Sequence, residues 1–107
     1  IMINKITQIL IEQKKLVILY FFLVKNKLPK VTNIHDLHRE YLEFVKKVSS
    51  MKFSIGKWTF ATYCQDLGLR RKRTTGASIW IQPDSYDPED LIDLLNYRTN
   101  ELKNKLS

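Results

Sequence analysis

Cysteine is almost missing from this sequence: Cys64 is the only one. No internal disulfide can form, which fits a reducing compartment. Glycine is scarce too. Gly56, Gly68 and Gly76 stand alone, so there is no Gly-rich loop to cradle a phosphate. The longest apolar run, Leu16–Val24, has nine residues. A membrane-spanning helix needs about 20, so this run reads as a core helix. No cleavable signal peptide is evident. Metal-ligating residues are few. His35, Asp36 and His38 fall within one helical turn, but Cys64 is the one soft ligand left to join them, and no zinc site is expected. Cys64 sits in an apolar stretch with no histidine near in sequence, which argues against a nucleophile. Asp84, Asp87, Glu89, Asp90 and Asp93 read as helix capping rather than paired-acid chemistry. The chain is therefore expected to be no enzyme, with no cofactor, no metal and no small-molecule substrate.

What remains is a basic chain of 107 residues and formal charge +7, enough for one domain with a small core. Position 1 is Ile, and the chain is expected to be cut from a longer protein. The charge is uneven. Residues 1–30 hold six lysines against one acid, and residues 54–83 hold five cations against Asp66. Residues 84–107 hold six acids against three cations. A basic body with an acidic C-terminal element suggests a polyanion nearby, such as nucleic acid.

Residues 3–26 lack Gly and Pro and show a wide apolar helical face from Ile6 to Val24. Ile11, Ile18, Phe21 and Phe22 widen it further. A helix this apolar wants cover on more than one side, one of which a second chain can supply. Pro29 ends it. Thr32 or Asn33 can cap the next helix, where Ile34, Leu37, Tyr41, Phe44, Val45 and Val48 recur at steps of 3, 4, 3, 1 and 3. Ser54 is a candidate cap for a third helix to Leu67, with Gly68 as its left-handed C-terminal cap. In that helix Trp58, Ala61, Cys64 and Leu67 are expected to face inward, with Phe60 and Tyr63 to the side. Leu69–Arg73 and Ser78–Gln82 read as two strands joined by residues 74–77. Asp87 and Pro88 open a final helix with a seam of Ile92, Leu95, Thr99, Leu102 and Leu106.

The expected fold is mainly α with a small β-hairpin: a single winged helix-turn-helix domain over residues 1–107 with an extra C-terminal helix. In its DNA-binding form the third helix enters the major groove and the wing tracks a phosphate backbone. Arg70, Arg71, Lys72 and Arg73 suit the wing. The third helix offers Lys57 as its only cation, with Thr59, Thr62 and Gln65 as candidates for reading bases.

The segments "QKKLVILYFFL", "REYLEF", "LGL" and "PEDLIDLL", in this order, resemble the C-terminal winged-helix domain of the AAA+ replication-initiator family. That family includes the largest subunit of the origin recognition complex. The resemblance covers about residues 8–96. It implies DNA contacts at Lys57, Thr59 and Thr62 in the helix, and at Arg71, Arg73, Thr75 and Ser78 in the wing. The sequence departs from the family in lacking paired cations on the third helix and in its short wing tip, both against direct base reading. A silencing branch of the yeast silent-information-regulator type has a similar layout, and its terminal winged helix serves self-association. The apolar third helix, the over-wide first helix and the Leu seam fit that branch.

The first expectation is therefore a nuclear module of a heterochromatin or transcriptional-silencing protein, forming a homodimer with other chromatin proteins as partners. Its interface would be Leu16, Tyr20, Phe22, Phe60 and Tyr63 with the Leu95, Leu102 and Leu106 seam. The alternative is a DNA-binding winged helix of an origin-recognition subunit, holding phosphates with Arg70–Arg73. A third and more remote reading is a structural bridge between subunits of such a complex. No membrane contact is expected.

Overall fold

A computed structural model describes residues 2–106. The fold is mainly helical with a small three-stranded antiparallel sheet. Helix α1 spans Met2–Lys25, strand β1 Val31–Thr32, helix α2 Ile34–Val48 and helix α3 Lys57–Asp66. Strands β2 (Arg70–Thr74) and β3 (Ala77–Ile81) form the hairpin, and helix α4 runs over Pro88–Leu106. The sheet order is β1-β3-β2.

Local chemistry sets the boundaries. After Lys25 the amide side chain of Asn26 donates to the Phe22 carbonyl at 3.0 Å, closing the last turn of α1 before Pro29. Asn33 caps α2: its side-chain oxygen accepts from the Asp36 backbone N–H at 2.8 Å. Asp87 accepts from the Glu89 N–H at 2.9 Å, and Pro88 opens α4 as expected. Gly68 takes φ +123°, a conformation L side chains rarely adopt, and lets Leu69 N–H turn back to the Cys64 carbonyl at 3.0 Å.

Several elements differ from the sequence reading. The hairpin strands run 70–74 and 77–81 rather than 69–73 and 78–82, so the turn holds two residues and not four. Ser54 ends a 3₁₀ turn at Met51–Phe53, and α3 begins only at Lys57, capped by Gly56 without a side-chain bond. Strand β1 was not expected. It is two residues long, too short for any period to register, and pairs Val31 with Ile81 and Thr32 with Trp80.

One core joins the elements. Phe22 of α1, Tyr41 of α2 and Phe60 of α3 stack in series, with ring centroids 5.6 Å and 4.8 Å apart. Leu16, Leu19, Leu37, Val45, Cys64 and Leu67 pack around them, all buried. Burial pushes the Tyr41 phenol and the Cys64 thiol well above their ordinary pKa values, so both stay neutral. Helix α4 lies antiparallel along α1. The Gln13 amide donates to the Thr99 hydroxyl at 3.0 Å, and Arg98 Nε lies 3.6 Å from a Glu12 carboxylate oxygen. No described helix is long and apolar enough to cross a membrane.

This packing corrects the expected self-association surface. Leu16, Phe22 and Phe60 are buried within the chain itself, because they form the junction of α1, α2 and α3. Leu102 is buried against α1, and Leu95 packs partly on the core, so the α4 seam is already occupied. Tyr20 and Tyr63 are half-buried against the same core. Leu106 closes α4, and its side chain lies outside the described residues. Trp58, expected inward, is 72% exposed, and Phe60 takes the inward place at 0%.

Candidate nucleic-acid interface

The hairpin carries four cations in a row. Arg70, Arg71, Lys72 and Arg73 are all exposed, and among the described residues none meets a carboxylate within salt-bridge distance. Strand alternation divides them. Arg71 pairs across the hairpin with Trp80 and Arg73 with Ser78, while Arg70 and Lys72 pair with Ile81 and Ile79. Arg71 and Arg73 thus share one sheet face. The two-residue turn Thr75-Gly76, with Gly76 at φ +82°, keeps the strands in this register.

On that face lies a cleft of about 540 Å³ between the hairpin and α3. One wall is a stripe of α3: Trp58, Ala61, Thr62 and Gln65. The facing wall is Arg71, Ser78 and Trp80, and the N-terminal end of α2 closes the third side with Asn33 and His35. Arg71 is held in place, its guanidinium donating to the Ser78 hydroxyl at 3.1 and 3.3 Å. Lys57 Nζ lies 3.0 Å from His35 Nδ1 and 5.1 Å from the centre of the Trp58 ring. The Thr62 hydroxyl donates to the Trp58 carbonyl at 3.2 Å, leaving its oxygen free to accept.

The other flank of α3 has the opposite charge. A groove of about 580 Å³ between α3 and α4 is lined by Asp66, Asp90, Asp93 and Glu101 against one cation, Arg98, which pairs with Glu101. Burial raises the Asp66 carboxyl above its ordinary value. A polyanion is therefore repelled from the α4 side of α3 and drawn to the hairpin side.

The structure gathers Lys57, Thr62, Arg71 and Ser78 about one cleft, with Arg73 on the same sheet face. Thr59 is exposed on α3 but does not line it, and Arg70 and Lys72 face away. The sequence reading missed His35, Asn33 and the exposure of Trp58. His38 Nε2 donates to the Ile55 carbonyl, 2.8 Å away, and so is tied to the core rather than paired with His35. Among the described residues no group of His, Cys, Asp and Glu is arranged to hold a metal ion.

A second surface is apolar. Ile6, Leu10, Phe21 and Val24 lie on one stripe of α1 and are exposed. Beside Phe21 a shallow groove of about 350 Å³ is lined by Ile18, Lys25, Phe44 and Val48. No family model matches this chain, and neither a curated protein nor a solved structure matches it.

Proposed function

We propose that this chain is a non-catalytic winged helix-turn-helix module that binds the phosphate backbone of DNA through its hairpin and α3. The observation that carries this reading is the run Arg70–Arg73, exposed and, among the described residues, without an acidic partner, beside the cleft that Arg71 lines and Lys57 reaches through His35. The element order and the β1-β3-β2 sheet also favour it, since a winged helix has the same order. The resemblance to the initiator family points to the same residues, and with it goes a nuclear, chromatin-associated setting. Phosphate contacts of this kind give affinity without sequence information.

The test is the salt dependence of duplex binding by fluorescence anisotropy. With Lys57 and the four hairpin cations engaged, log K falls against log salt with a slope of at most about −4 to −5. Arg71→Ala reduces that slope by about one. Binding that ignores salt, or a slope that Arg71→Ala leaves unchanged, overturns the reading.

A second reading, self-association, rests on a different observation: the exposed apolar stripe Ile6, Leu10, Phe21 and Val24 with its adjoining groove. The interface then sits on the outer face of α1, away from the buried Leu16, Phe22 and Phe60. A stable homodimer buries about 1,200–2,000 Å² in total, and a 24-residue helix is long enough to contribute much of it. Pairing two copies would raise a weak DNA contact through avidity, as a silencing protein requires.

A further inference from the structure

Trp58 is the unexplained residue of the α3 face. A tryptophan left 72% exposed on a helix whose neighbours Phe60, Ala61 and Cys64 are buried contributes nothing to the core. Its ring lines the cleft, with Lys57 Nζ over one face, 5.1 Å from the ring centre, so a stacked base takes the other face or displaces the ammonium. The fixed Arg71 guanidinium stands on the facing wall. The cleft volume of about 540 Å³ lies in the range of small-ligand pockets. Gln65, about two turns along the same stripe, offers an exposed side-chain amide. The Thr62 oxygen adds a second acceptor between the two.

We propose that this cleft takes an unstacked base of single-stranded nucleic acid, with Trp58 as the stacking plate. The inference rests on the reading of this face as the nucleic-acid face and narrows its ligand. A base in intact duplex offers only its edge, so it cannot lie flat on an indole; an unpaired base offers its face. Gln65 and Thr62 then meet the edge of that base, while Lys57 and Arg71 hold its flanking phosphates. Charge selects the occupant: Arg71 in the cleft wall and Lys57 beside His35 at its rim favour an anionic strand over an apolar peptide.

Trp58 is 72% exposed and Trp80 3%, and both line the cleft, so the quench is assigned to Trp58 by its loss in Trp58→Ala. Emission is followed while the chain is titrated at low salt with a dT 12-mer, and separately with a 12-bp duplex. The dT strand quenches Trp58. Trp58→Ala weakens single-strand binding by about 5- to 150-fold, the loss of one base stack, and Trp58→Phe restores part of it. Duplex affinity changes less than threefold in both variants. Single-strand binding without quenching, or an equal loss on both substrates, overturns the inference and leaves the duplex reading standing. No binding of either substrate overturns both. A blue shift of Trp58 with rising protein concentration alone marks a protein contact and also overturns the inference.

Discussion

Phe60 separates a core residue from an interface residue, and Phe60→Ala measures the difference. Its ring is fully buried, 4.8 Å from Tyr41 and edge-on to His38 at 5.0 Å. Removing it leaves a cavity at the meeting point of α2 and α3, and such Phe→Ala changes cost about 3–5 kcal/mol. A small domain has about 5–15 kcal/mol in all, so the variant keeps only part of its stability. With a urea m-value near 2 kcal/mol/M, the unfolding midpoint falls by about 2 M. Far-UV circular dichroism against urea reads it, with sedimentation of the same samples reporting mass. Phe60→Asp unfolds the chain outright, so any loss of self-association in that variant is a loss of fold. A midpoint within about 0.5 M of the parent, with a changed mass, would refute the placement of Phe60 in the core.

Three further outcomes follow from the same packing. Phe21→Asp, on the exposed stripe of α1, leaves the urea midpoint nearly unchanged and abolishes any concentration-dependent mass in sedimentation equilibrium. Gly68→Ala destabilises by about 1 kcal/mol or more in thermal melts, because φ +123° strains any residue with a Cβ there. Asp66→Asn stabilises the fold at neutral pH and not in acid. Burial raises the Asp66 pKa on folding, so the penalty is absent below the unfolded value of 3.8. It grows as pH rises through the window up to the raised folded value, and is complete above it. Urea midpoints at several pH values check this.

Most of the fold was legible in the sequence because the signals were local. The 3,4 stripe of α2, the Asp87-Pro88 opening of α4 and the lone Gly68 each state one structural fact in one place. In α3 the inward places of Ala61, Cys64 and Leu67 were legible, and all three are buried. Trp58 and Phe60 were exchanged: Phe60 lies four residues before Cys64, on the same face, whereas Trp58 lies six before it, well round a helix of 3.6 residues per turn. The expected interface failed for a related reason. Leu16 and Phe22 belong to the same apolar helix as Phe21 and Val24, and apolarity alone does not say which side meets the body. The basic run Arg70–Arg73 was plain, but its division into two faces waited on the register with Ile79, Trp80 and Ile81. The cleft was invisible beforehand, since Asn33, His35, Trp58 and Trp80 meet only through the tertiary fold.

The most direct measurement is an amide chemical-shift map of the chain titrated with a short DNA duplex at low salt. The account predicts perturbations at Lys57, Trp58, Thr62, Gln65 and residues 70–78, with the outer face of α1 and the α4 wall of the acidic groove, Asp90, Asp93, Tyr97 and Glu101, unmoved. Perturbations confined to α1 or α4, or none at all, would contradict it.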